Sequence, residues 1–114
     1  MEVNGKNLTI TRGDSESLTI RCLDKVTKDP IPFQTGDTIY FTVKTSTGTT
    51  IKSLQKVITS FSVGAAVVDI LPADTQGLKG GTYVYDIQWN KQNGQVKSIV
   101  KTSKFIIDED VTSE

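Results

Sequence analysis

The sequence has no histidine and one cysteine, Cys22, in 114 residues. Without histidine the chain lacks the side chain that most often moves protons near neutral pH. Together the two scarcities remove the Cys and His sets that hold zinc and the usual nucleophile and base pairs of covalent catalysis. A lone cysteine also rules out an intrachain disulfide, so stability has to come from a packed core. Long apolar runs are missing too. No stretch approaches the roughly 20 residues needed to span a bilayer, and Met1-Glu2-Val3-Asn4-Gly5 has neither the basic start nor the apolar run of a signal peptide. A product made in the cytoplasm, with no membrane partner, is expected. Neither charge sign dominates, because 13 basic residues cancel 13 acidic ones. Nothing then draws in a polyanion, and no nucleic-acid partner is expected.

Carboxylate chemistry would need two acids converging in a cleft, and Asp69, Asp74 and Asp86 are expected on outer faces or corners. Asp108-Glu109-Asp110 lacks the spaced Asp, Asn and Gly pattern of a calcium loop. The expectation is therefore a non-enzymatic chain with no catalytic residue, no cofactor and no metal.

What the chain does have is β-branched residues: 16 Thr, 11 Val and 11 Ile, a third of the whole. These lose less in a pleated strand than in a helix. The length fits one domain over residues 1–114, burying about 60–70% of its unfolded surface, with 107–114 as a polar tail. Alternation of apolar and polar residues predicts strands over 7–11, 16–23, 38–44, 65–71, 82–90 and 95–107. In the second, Leu18, Ile20 and Cys22 share one face; in the third, Ile39, Phe41 and Val43 point inward and Tyr40, Thr42 and Lys44 outward. Segment 51–61 is ambiguous, since Ile51, Leu54, Val57, Ile58 and Phe61 also fit helical spacing. A strand over 55–61 is favoured by Val57, Ile58 and Thr59, which are poor surface helix formers. Parity fails at Lys101 and Ser103, which predicts a bulge in the last strand.

Turn chemistry punctuates this pattern. Gly13, Ser46-Thr47-Gly48-Thr49 and Gly64 read as turns, and Asn93-Gly94 as a two-residue hairpin. Pro30 and Pro32 cannot donate to a ladder, which predicts a loop over 24–37. Pro72 opens a short helical turn over residues 72–78, ending at Leu78, with Asp74 near its start. About seven short antiparallel strands in two sheets is the pattern of an immunoglobulin-like β-sandwich. In such folds a tyrosine near the start of the sixth strand returns its hydroxyl to the preceding corner. Tyr83 and Tyr85 are the candidates, beside Asp74 in the corner. In antibody domains a cysteine follows that tyrosine by two residues; here the positions are Tyr85 and Ile87, which leaves Cys22 packed as a small hydrophobe.

Three further features have bland readings beside sharper ones. Arg12-Gly13-Asp14 matches an integrin-binding tripeptide but sits where a turn is expected. Lys97, Lys101 and Lys104 can meet an acidic partner, or simply keep a strand edge from aggregating. Tyr83, Tyr85 and Trp89 would make a sugar-stacking row if exposed, yet their alternation with Asp86 and Gln88 places them in the core. Trp89, near the strand end, is the one candidate for ligand contact.

Several pieces, taken in order, resemble a known family. They are Ile10-Thr11-Arg12-Gly13-Asp14; Phe41-Thr42-Val43-Lys44; Asp74-Thr75 with Leu78, Gly81 and Tyr83-Val84-Tyr85-Asp86-Ile87-Gln88; Asn93-Gly94-Gln95-Val96; and Lys104-Phe105-Ile106-Ile107 with Asp110-Val111-Thr112. This order is similar to the small Ig-like domains of tailed-phage and prophage structural proteins, and most of all to the N-terminal domain of baseplate upper proteins. Thr102-Ser103 departs from it, standing where a glycine is expected. The resemblance implies a tail or baseplate component located in the virion. It would contact other virion proteins, as a homo-oligomer or ring. Because the sequence stops after Asp110-Val111-Thr112, where such proteins continue, it implies a scaffold or adaptor, or a cut-out domain, without the host-binding end. The rival expectation is an adhesive or carbohydrate-binding Ig-like module.

Overall fold

The computed structural model describes residues 2–4, 6–24, 26–46, 52–62 and 64–109. Its strands are β1 (Glu2–Asn4), β2 (Asn7–Thr11), β3 (Glu16–Ile20), β4 (Cys22–Leu23), β5 (Pro30–Ile31), β6 (Thr38–Lys44), β7 (Leu54–Ile58), β8 (Ala66–Ile70), β9 (Gly81–Asn90) and β10 (Val96–Asp108). A single helical turn, α1 (Pro72–Gln76), joins β8 to β9. The fold is all-β. A six-stranded sheet runs β1-β2-β10-β9-β6-β7, and β3-β8 and β4-β5 form two-stranded sheets.

The alternation seen in the sequence becomes the core. Leu8 and Ile10 of β2, Ile39, Phe41 and Val43 of β6, Tyr83, Tyr85, Ile87 and Trp89 of β9, and Phe105 and Ile107 of β10 are all buried. They form one cluster with Ile20, Cys22 and Phe33, and with Ala66, Val68 and Ile70 of β8. The large sheet and the β3-β8 pair therefore share a single interior. Cys22 is buried within it.

Several expectations need correction. The strands are not all antiparallel, since β2 pairs parallel to β10, with Leu8 opposite Phe105 and Ile10 opposite Ile107. Ile107 lies in the last strand as its parity predicts, and that strand runs one residue further, taking Asp108 out of the expected polar tail and into the sheet. Strand 16–23 breaks at Arg21, and its second piece pairs antiparallel with Pro30–Ile31 inside the expected loop. Pro30 fits there because β5 has a partner on one side only, so its missing N–H interrupts no inner ladder. The Asn93-Gly94 hairpin is not a two-residue turn. Lys91 N donates to Gln95 O (2.8 Å) and Gly94 N to Lys91 O (3.0 Å), and Gly94 (φ 92°) has positive φ while Asn93 does not. This is the three-residue loop, a turn followed by one left-handed residue. Segment 54–58 is a strand paired with β6, with Tyr40 opposite Val57. Register shifts between Ser98 and Val100 and between Val100 and Ser103 account for the broken parity of β10. Gly64 does turn the chain, with Ser62 and Ala65 exchanging two backbone bonds of 3.0 Å, but β7 and β8 then join different sheets. Most of the turn expected over 46–49, and residues 110–114, lie outside the described residues.

Candidate functional site

The corner after β8 is where distant parts of the sequence are tied together. Pro72 sits at the first helical position of α1, where its missing N–H would have no partner in any case. The Asp74 carboxylate accepts from Leu71 N (2.7 Å) and pairs with Lys56 Nζ of β7 at 2.7 Å. Partial burial pushes the Asp74 carboxyl up, but the Lys56 ammonium and the Leu71 N–H outweigh it and hold the group below its ordinary value. Thr75 is fully buried, and its hydroxyl accepts from Gly13 N (2.8 Å). Arg12 reaches Leu78 O at 3.5 Å. The Arg12-Gly13-Asp14 tripeptide is thus a turn fastened to α1, with Asp14 N donating to Thr11 O (3.1 Å).

Tyr83, Tyr85 and Asp74 do not converge on one point. Tyr83 Oη donates to Lys79 O in the corner (2.7 Å), Tyr85 Oη donates to Lys6 O just before β2, and Asp74 faces Lys56. Burial raises the Tyr85 phenol above its ordinary value. Of the two candidates, Tyr83 is the one whose hydroxyl returns to the corner, while Tyr85 ties β9 to the residue before β2. Tyr83→Phe should cost about 1–3 kcal/mol by leaving a part-buried carbonyl unpaired. Tyr85→Phe should cost a similar amount, read as urea midpoints at unchanged m value. If neither variant moves the midpoint, these bonds do not hold the corner.

Trp89 is 3% exposed, which corrects its reading as a surface contact. Phe33 packs edge-on against its ring at 4.8 Å and Lys91 Nζ stands 4.6 Å from the ring centroid, so little of the ring is open to a sugar, although it lines a recess of about 210 Å³ with Asp37, Lys91 and Gln92. Its indole N–H is near the Asp37 carboxylate without a hydrogen bond of good geometry. Asp37 is itself 4% exposed. It accepts from Gln34 N (2.9 Å) and Gln92 N (3.0 Å), clamping the approach to β6 onto the β9-β10 loop. Burial pushes this carboxyl up, and the two backbone donors, with Trp89 and Lys91, more than reverse it, leaving it below its ordinary value. A carboxyl depressed in the folded state stabilises fully above its unfolded pKa, and that contribution is lost as pH falls through the folded value. Urea midpoints should therefore stay level down to about pH 5 and fall below about pH 4. Asp37→Asn keeps one acceptor oxygen and should cost about 1–3 kcal/mol at neutral pH, and its acid limb should be shallower. An unchanged acid limb would show that Asp37 does not drive it.

Among the described residues, one recess of about 210 Å³ opens beside Asp37, Trp89, Lys91 and Gln92, and two others lie elsewhere on the surface. Of these two, one, lined by Tyr40, Thr42 and Lys44 of β6, Lys52, Gln55 of β7, and Asp86, Gln88 and Asn90 of β9, encloses about 440 Å³. The other includes Leu23, Val26, Ile31, Lys97 and Ile99, with Val26 88% exposed. Among the described residues no cluster of three or more Cys, Asp or Glu side chains could hold a metal ion. The sequence placed Tyr40 and Thr42 on an outer face and Asp86 and Gln88 on another, but alternation alone does not say that β6 and β9 are neighbours. The Asp37 clamp was missed altogether; its one local signal is an Asp directly after a glycine at the mouth of a strand. No protein-family model matches the chain, and no curated protein matches it significantly.

Proposed function

We propose that the chain is a non-enzymatic structural component of a tailed-phage or prophage particle, placed in the tail or baseplate and built as an immunoglobulin-like sandwich. The observation that carries this reading is the corner. Pieces of the family-like pattern that are far apart in sequence, Arg12-Gly13-Asp14 and Asp74-Thr75 with Leu78, meet through the Gly13 to Thr75 bond, while Tyr83 closes on Lys79 O. A shared pattern made of packing and turn residues is what a common scaffold would retain. The strand order supports the same reading. The run β10-β9-β6-β7 follows the G-F-C-C′ order of a variable-type sandwich sheet, with β3 and β8 standing as strands B and E.

Such a part works by surface complementarity, through strand edges and end loops. Virion proteins of this kind assemble by repeated head-to-tail contacts that close into rings, so its partners are other virion proteins and further copies of itself. A carbohydrate module built on Trp89 is disfavoured by the burial of that indole. The test is co-sedimentation: particles released from the bacterium encoding the gene are banded on a density gradient and probed for the chain. Recovery with tail-bearing particles, from a gene flanked by tail-tube and tape-measure genes, is expected. A chain that stays with the soluble fraction, from a gene remote from any such cluster, would overturn the proposal.

A further inference from the structure

We propose that the outward face of β6, β7 and β9 binds a neutral saccharide, with Asp86, Gln88 and Asn90 as its polar row and Tyr40 as its aromatic member. The sheet register builds the face. Thr42 lies between Gln55 and Asp86, Tyr40 between Val57 and Gln88, and Thr38 opposite Asn90, so their side chains are direct cross-strand neighbours. The resulting cleft of about 440 Å³ falls within the roughly 300–1,000 Å³ of small-molecule sites.

The lining selects the ligand class. Most such pockets are largely apolar, whereas this one is lined by three amides, two hydroxyls, one carboxylate and two ammonium groups. Amides and hydroxyls both donate and accept, carboxylate only accepts, and ammonium only donates. That mixture matches a ligand whose hydroxyls do both. An apolar ligand would strip water from all of these groups without replacing their hydrogen bonds, and an anion, drawn by Lys44 and Lys52, would still meet the Asp86 carboxylate in the same lining, which makes phosphate the control probe. Part of the site is already ordered: Gln55 Nε2 donates to Thr42 Oγ1 (3.0 Å), and Lys52 Nζ stands 3.5 Å from Gln55 Oε1. The assignment does not rest on the virion reading and is tested on the isolated chain.

The experiment is a titration of the ¹⁵N-labelled full chain with glucose, galactose, N-acetylglucosamine, rhamnose and their short oligomers, with sodium phosphate as the anionic probe. Saturable movement of the Gln55, Gln88 and Asn90 side-chain amide signals with at least one sugar is expected. Asp86→Ala and Tyr40→Ala should each weaken that binding about tenfold or more while keeping a dispersed spectrum. Gln88→Ala replaces either variant if it fails to fold. The proposal is overturned if no sugar moves these signals at millimolar concentration or if the shifts map to the Leu23 and Val26 recess. Phosphate acting as strongly as any sugar, or binding undiminished in the folded variants, overturns it equally.

Discussion

Phe41→Ala is expected to remove about 3–5 kcal/mol of stability, enough to bring a domain at the lower end of ordinary stability, about 5 kcal/mol, close to its unfolding midpoint. Phe41 has no exposed surface and lies in β6, which is hydrogen-bonded on one side to β7 and on the other to β9. Its ring is 5.3 Å from that of Tyr85 and tilted by 31°, and 6.0 Å from that of Phe105, edge to face. Tyr85 and Phe105 also meet edge to face at 6.2 Å, so the three rings form a closed set across β6, β9 and β10. Removing one takes away a buried aromatic surface and leaves a cavity that strands fixed by ladder bonds cannot easily close. Phe41→Leu keeps most of the volume and should cost less. Urea titration followed by circular dichroism reads both, and a loss below about 1 kcal/mol for Phe41→Ala would mean that the core is not organised around this triad.

Gly64→Ala is expected to cost about 2–5 kcal/mol, the sum of a left-handed backbone penalty and a steric one. Gly64 has φ +72°, and a Cβ there would lie 2.5 Å from Pro32 Cβ and 3.0 Å from Pro32 Cα. The near atoms are a proline ring and backbone, which cannot swing aside. Phe33 N donates to Gly64 O (3.1 Å), so displacing the turn also pulls on Phe33, whose ring meets that of Phe61 at a tilt (5.4 Å) and that of Trp89 edge to face (4.8 Å). Trp89 fluorescence should therefore change even in the folded variant. Gly94→Ala is the control. Its φ is +92° but nothing lies within 4 Å of the added carbon, so it should show the backbone penalty alone. Equal losses at the two glycines would remove the steric part of the argument.

The strands were legible wherever one face is buried. β6 and β9 were visible because Ile39, Phe41 and Val43, then Tyr83, Tyr85, Ile87 and Trp89, alternate without a break, and period two has no other common explanation. What alternation cannot carry is pairing. Leu8 and Ile10 read the same whether β2 meets its neighbour parallel or antiparallel, and here the neighbour is β10, far along the chain and parallel. The split at Arg21 and the pairing of Pro30–Ile31 were likewise invisible, since two-residue strands carry no periodicity. The corner was legible from Pro72 and Asp74, whose roles at a helix start are local. Thr75, buried and bonded to a turn in another part of the chain, was not. The polar cleft was half legible: the parities that set Tyr40, Thr42, Asp86 and Gln88 outward were readable, but not the register that makes them neighbours.

The measurement that tests the functional account most directly is the copy number of this chain in purified particles, obtained by isotope-dilution mass spectrometry against a tail-tube protein. A scaffold or adaptor built into a tail or baseplate should be present in fixed amount, as a whole multiple of the axial symmetry of the tail, and should resist removal by high-salt washing. A chain missing from the particles, or present at a variable level that salt removes, would contradict a structural role in the virion.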